Sequence, residues 1–213
     1  MADVTELGRS ARKRQVIIET ATALFLRNGY HSTSMDQIAA DAAVSKQTVY
    51  KNFADKQQLF TDIVLGVAGT SERVITELTT TLRQATVTTL ADLEQALTEL
   101  ARRYLDAVIA PHVLALRRLV IAETDRFPKL ARTYYRLAPA RAVEVLGSAL
   151  QPYADHGLLR VPDTQQAATT LAYLVLASAQ DRALFHPNQP LKAAERDRLA
   201  AEAVRVFLAA YHA

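Results

Sequence analysis

Apolar residues recur at Ile17, Ala21, Leu24 and Phe25, a spacing of four, seven and eight that lays one apolar stripe along a helix, and Asn28-Gly29 closes it. Ser34 followed three positions later by Gln37 is a capping pattern, and it places a short helix start just ahead of Ile38, Ala39 and Ala42. Ser45 then offers a hydroxyl to the orphan amides of a second short helix, in which Val49 and Phe53 face inward. Asp55 and Gln58 repeat the signal ahead of a longer helix carrying Leu59, Phe60, Ile63, Val64 and Val67 on toward Val74, Ile75 and Leu78. Gly66 and Gly69 interrupt this helix at about 1 kcal/mol each relative to alanine. Two readings of them stay open: close helix packing, or a bend that couples two domains.

From residue 90 the pattern is helical to the end, with segments predicted at 90–109, 111–124, 128–153, 163–185 and 191–211. Pro111 and Pro128 suit first-turn positions, where no amide hydrogen bond is lost. Pro139 does not, and it predicts a kink or split, because its ring opposes the carbonyl four residues back. Gly157 and Pro162 mark a loop, Asp163 with Gln166 caps the next helix, and Pro187 and Pro190 separate it from the last. No alternating strand-like run, internal repeat or low-complexity tract occurs, so the fold class is all-α. The expected organisation is an N-terminal three-helix helix-turn-helix domain over residues 1–60 and a larger C-terminal helical domain over 61–213.

Composition narrows the chemistry. The 213 residues allow one domain or two small ones on length alone. The absence of cysteine excludes disulfides and thiolate metal sites and fits a reducing cytoplasm. The amino terminus, MADVTELGRSARKR, lacks the apolar core of a signal peptide, and the longest nearly apolar run, residues 171–179, is too short to span a bilayer. A soluble, cytoplasmic protein without a membrane partner is expected. Net charge is only +3, but it is unevenly placed: eight basic and four acidic residues lie between Arg9 and Phe60, whereas 17 and 16 nearly cancel from Thr61 onward. The positive excess therefore sits on the helix-turn-helix segment, as an electrostatic footprint on DNA requires. No GxSxG elbow, GxxxxGK[ST] loop, HExxH pair or cysteine nucleophile proposes a reaction centre, and the isolated histidines have no metal spacing. No enzyme, cofactor or metal is expected.

With Val49 and Phe53 inward, the second short helix turns Lys46, Gln47, Thr48, Tyr50 and Lys51 elsewhere, a set of basic, amide, hydroxyl and phenol groups suited to phosphates and base edges in a major groove. The order VSKQTVYKNFADKQQL resembles the recognition helix and following turn of the TetR family of transcriptional regulators, and ETATALFLRNGYHSTSMDQIA resembles its first helix and second-helix start. The resemblance is clear over residues 12–60 and holds only in style beyond. Two positions depart from the family pattern: Ala43 stands where the turn often has glycine, and Lys51 where histidine commonly follows the tyrosine. An alanine forced to positive φ is strained.

The resemblance implies roles by position. Lys46, Gln47, Thr48 and Tyr50 lie on the recognition helix, Lys51 replaces the usual histidine as a phosphate donor, and Lys56 stands at the next helix start near a phosphate. Gln47 is the best candidate for base readout, since its amide both donates and accepts at adenine. Ser45 is read either as an N-cap alone or as a phosphate contact, and Arg12, Lys13 and Arg14 either as a basic arm on phosphates or minor groove or as a solvated charge run.

The resemblance further implies a homodimer through the last two helices, a palindromic or pseudo-palindromic operator, and a small-molecule effector that releases a repressor. The small and branched stripes Ala168, Leu171, Ala172, Val175, Ala179 and Leu199, Ala203, Val206, Ala210 permit close helix approach, within the chain or across a dimer. Candidate effector-lining residues are Tyr104, His112, Arg117, Glu123, Phe127, Tyr134 and Asp181, for each of which a surface ion pair or a satisfied core hydrogen bond is the competing reading. His112, directly after Pro111, reads better as a helix-start residue than as a ligand. A non-specific helical nucleoid-associated or surface-binding protein without effector control is the alternative function.

Overall fold

A computed structural model describes the backbone of residues 4–212 and the side chains of residue 8 and residues 10–212; residues 1–3 of the expected N-terminal domain and residue 213 lie outside the described residues. The elements in order are α1 (Val4–Asn28), α2 (Met35–Asp41), α3 (Lys46–Asn52), α4 (Lys56–Gln84), α5 (Leu90–Val108), α6 (Pro111–Ala122), α7 (Pro128–Tyr135), a π-helical turn (Arg136–Ala140), α8 (Arg141–Asp155), α9 (Thr164–Phe185) and α10 (Ala193–Tyr211). Among the described residues the only extended pairing is an isolated bridge between Leu159 and His212, so the fold is all-α. None of the described helices is long and apolar enough to cross a membrane. The described residues divide into two compact units, one formed by those up to 67 with 116–132, the other by 68–115 with those from 133 onward.

In the first unit, α1 buries Ile17, Ala21, Leu24 and Phe25 along the stripe that its spacing predicts, and α2 and α3 bury Ile38, Ala39 and Val49 against it. The caps are those that the sequence signals. Ser34 accepts from the Gln37 amide and Ser45 from the Thr48 amide, both at 3.1 Å, while Asp55 accepts from the Gln58 amide at 2.7 Å. Gly29, at φ 79°, ends α1 in the left-handed conformation.

The turn from α2 to α3 holds Ala43 in the strained conformation that its place in the sequence suggests. The Val44 amide donates to the Ala39 carbonyl and the Ala43 amide to the Ala40 carbonyl, each at 3.1 Å, which is a Schellman motif with Ala43 in the left-handed position at φ 53°. A Cβ in that region is disfavoured by about 1–2 kcal/mol. Ala43→Gly is therefore expected to raise stability by about 1 kcal/mol, part of the relieved strain being offset by glycine's larger unfolded-state entropy. A denaturant midpoint lower than that of the natural chain would contradict this.

Gly66 and Gly69 do not break α4, which runs from Lys56 to Gln84. A Cβ at either position would meet no described atom within 4 Å, so close packing is not the reason for them. Gly69→Ala should then add about 1 kcal/mol of stability through helix propensity alone. Thermal unfolding of the variant checks this, and a lower melting temperature would show that position 69 needs a glycine.

The second unit is built around α5, which packs against α9 and α10, with α8 packed on α9. A capping box starts α5: Thr89 Oγ1 accepts from the Asp92 amide at 3.1 Å and the Asp92 carboxylate accepts from the Thr89 amide at 2.9 Å. These bonds, with others from Thr88, hold the Asp92 carboxyl down at about 2. Leu93, Leu97, Leu105, Leu150, Ala167 and Phe207 form the heart of the core. Tyr153 crosses it to donate to the Leu82 carbonyl at 2.7 Å, and burial pushes its phenol pKa up. Pro139 splits the predicted 128–153 segment as its missing amide requires, through the π-helical turn between α7 and α8. A kink at Ala177 bends α9. The α9 stripe of Ala168, Leu171, Ala172, Val175 and Ala179 is wholly buried in this same core, and the intramolecular reading of it is the one realised.

Candidate nucleic-acid interface

The geometry of α3 follows from two buried anchors and one cap. Val49 and Phe53 are fully buried, so the helix can roll in neither direction, and the Ser45 cap fixes where it begins. The Ser45 hydroxyl also lies 2.8 Å from that of Thr48, tying both hydroxyls into the first turn. At the other end Asn52 Nδ2 donates to the Thr48 carbonyl at 2.8 Å. What α3 leaves exposed is the set Lys46, Gln47, Tyr50 and Lys51, with Tyr50 52% exposed despite its ring.

The basic groups fall into two kinds. Lys46 Nζ lies 2.7 Å from Asp36 of α2 in a well-solvated pair, worth at most about 1 kcal/mol and readily exchanged for a phosphate. Arg12, Lys13 and Lys51 are exposed and pair with no acid among the described residues. Arg14 instead reaches Asp62 of α4 at 2.6 Å with its guanidinium 4.8 Å above the Phe53 ring, so it braces the end of α3. Lys56 is also engaged within the unit. Its ammonium donates to the carbonyls of Tyr30 (2.9 Å), His31 (3.3 Å) and Thr33 (2.8 Å) and sits 4.4 Å from the Tyr30 ring centroid. A charge-assisted hydrogen bond is worth about 1.5–3 kcal/mol, and three that share one partly solvated ammonium do not add. Partial burial and the nearby Arg126 lower the Lys56 pKa, with Glu123 opposing them.

Around Tyr30 the unit gathers residues that the sequence scatters. Phe25, Phe60 and Phe127 stand 5.7, 5.1 and 4.9 Å from its ring centroid, and Arg126 lies 5.5 Å from it and within 3.3 Å of both ring nitrogens of His31. Glu123, its carboxylate almost covered, is 3.8 Å from His31. Burial raises the Tyr30 pKa.

Of the seven candidate effector-lining residues, Glu123 and Phe127 meet around Tyr30 and His31 in the first unit. Arg117, half-buried, belongs to the same unit. Tyr104 and Tyr134 are buried in the second unit, where His112 and Asp181 are exposed. A groove of about 320 Å³ does open in that unit between the end of α4 and α5, with Leu78, Leu82, Ala96 and Leu100 among its apolar walls and Gln95 and Arg103 at its polar edge, and none of the seven lines it. No group of three or more His, Asp or Glu placed to hold a metal occurs among the described residues. On α9 and α10 the large apolar groups left exposed are Tyr173 (61%), Phe185 (80%) and Val206 (38%). Sequence reasoning missed Asp36, Tyr30 and Arg126; the Gly29-Tyr30 step after a helix stop was the one local signal for Tyr30.

A capped three-helix head presenting a basic, amide-bearing helix, followed by an all-α second unit, defines a helix-turn-helix DNA-binding regulator. Comparison with known proteins agrees. The family profile for bacterial regulatory proteins of the tetR family matches residues 17–63, and that for the C-terminal domain of AefR-like transcriptional repressors matches residues 95–213. The chain belongs to the TetR family of transcriptional regulators. A solved structure described as a TetR-family regulator from Mesorhizobium loti MAFF303099 is 38% identical, covering 96% of this chain and 99% of that one, with a TM-score of 0.87. The flavonoid-responsive regulator FrrA is 29% identical over 95% of this chain and 98% of its own, with a TM-score of 0.73. Among curated relatives, the transcriptional activator FasR of Mycolicibacterium smegmatis is 35% identical over 83 residues, which are 39% of this chain and 34% of FasR. The regulator AcrR of Shigella flexneri is 42% identical over 50 residues, 24% of this chain and 23% of AcrR. The match thus spans about a third or less of the length of these curated relatives.

Proposed function

We propose that this chain is a ligand-responsive repressor that binds a palindromic operator as a homodimer and leaves it when a small molecule occupies the C-terminal domain. The observation that carries the DNA half is α3 itself: Val49 and Phe53 are held inside while Gln47, Tyr50 and Lys51 are exposed on a helix with a fixed start. Lys46, Lys51, Arg12 and Lys13 neutralise phosphates, Gln47 reads a base, and Ser45 and Thr48 set the first turn at the groove. Residues 1–60 hold the DNA-reading helices, braced by 116–132 of the same unit, and the rest of 61–213 is the effector and dimer part. Repression is favoured by the AefR-like repressor profile over residues 95–213, and an effector by the likeness to a flavonoid-responsive regulator over nearly the whole chain. Tyr104 and Tyr134 are the candidate lining residues retained for the effector. The dimer face is the exposed side of α9 and α10, marked by Tyr173, Phe185 and Val206, and the protein works in the cytoplasm.

The mechanism is a shift of populations. An effector that prefers the conformation with misplaced heads weakens DNA binding, and DNA weakens effector binding by the same factor. Selection of duplexes from a random library, followed by titration at fixed salt, tests the reading. The expected result is a two-fold symmetric site with half-sites about 34–36 Å apart, preferred over scrambled DNA by roughly a thousandfold or more. Equal binding to selected and scrambled duplexes would instead indicate a non-specific nucleoid-associated protein.

A further inference from the structure

Lys56 opens α4 at a position where the family resemblance implies a nearby phosphate, yet its ammonium is within hydrogen-bond reach of three backbone carbonyls. They are those of Tyr30, His31 and Thr33, and the same nitrogen lies over the Tyr30 ring. These carbonyls belong to the turn between α1 and α2, past the left-handed stop at Gly29, where the backbone has no helical partners. Thr33, buried at 1% exposure, is tied to the Gly29 carbonyl by its hydroxyl, and the next residue is Ser34, the cap of α2. One ammonium therefore fixes the point at which the chain enters the helix-turn-helix. To contact a phosphate it would have to release three acceptors and a ring at once, whereas Lys46 gives up one solvated carboxylate and Lys51 gives up none among the described residues.

We propose that Lys56 is a positioning residue for DNA recognition: it holds the α1–α2 turn so that α2 sets the angle of α3, and it does not neutralise a phosphate. The proposal rests on the DNA-binding reading above and refines the role of one residue within it. A phosphate contact and a positioning contact have different signatures, because neutralised phosphates set the salt dependence of binding and orientation sets the preference for one sequence.

The test uses the full-length protein, a duplex selected from a random library by the natural chain, and a scrambled duplex of the same composition, each titrated over a salt series. Lys56→Met retains an apolar stem over Tyr30 and removes the charge. It should bind the selected duplex about tenfold more weakly or worse, the equivalent of one lost base contact, with the scrambled duplex little affected and the salt slope unchanged. Lys51→Met, by contrast, removes one phosphate contact from each half of the dimer and should lower the magnitude of the slope by about 1.8. Lys56→Arg keeps the charge but has a planar fork that does not fit three converging carbonyls, and it should show the same selective loss as Lys56→Met. A slope reduced by about 1.8 in Lys56→Met, or natural affinity in Lys56→Arg, would overturn the proposal in favour of a phosphate contact. So would a loss fully accounted for by the unfolded fraction measured by circular dichroism, which would leave Lys56 a stability role only. If the natural chain itself failed to distinguish the two duplexes, the DNA-reading function would fall first and this role with it.

Discussion

Replacing Phe60 with alanine is expected to cost about 3–5 kcal/mol of folding stability, the usual range for a large aromatic removed from a packed interior. Phe60 is 1% exposed and stands 5.5 Å from Phe25, 5.1 Å from Tyr30 and 5.7 Å from Phe127, so its loss opens a void that three other rings must collapse into. Whole domains are stable by only about 5–15 kcal/mol, so the head should unfold at much lower denaturant concentration. Operator binding should fail under conditions where the second unit keeps its helices. Denaturant unfolding followed by circular dichroism, with DNA binding measured in parallel, reads both. A midpoint like that of the natural chain would mean that the cluster is looser than its centroid distances imply.

The second large effect concerns sequence discrimination. Gln47→Ala should weaken binding to the selected duplex by about 1–3 kcal/mol and leave scrambled DNA nearly unchanged. Gln47 lies next to the solvated Lys46, on the exposed side of a helix locked by Val49 and Phe53, and its removal disturbs no core contact. Under the proposed function its contribution is to the base edge alone. Equal weakening on both duplexes would remove it from base readout and leave Tyr50 as the next candidate.

These two residues illustrate what could be read in the sequence. Ser34, Ser45, Asp55 and Asp163 signal helix starts because a cap involves only its own next three residues, and each was found where its spacing put it. The split at Pro139 follows from one missing amide. Lys56 and Phe127 were harder. The acceptors of Lys56 are 23 to 26 residues away, and Phe127 meets Tyr30 from nearly a hundred residues downstream, so no periodicity links them. A lysine at a helix start reads as a free charge until its acceptors are located. The stripe along α9 left two readings open for a different reason: small residues announce that a neighbour comes close and carry no mark of which chain it belongs to.

The placement of residues 116–132 within the first unit has a practical consequence for anyone transplanting DNA specificity between relatives. A fragment cut at residue 60 or 67 would lose Phe127 from the Tyr30 and Phe60 rings and Arg126 from His31, leaving those two rings uncovered on one side. A chimera that is to inherit this head intact must carry two pieces of the gene, the obvious one and a short distant one.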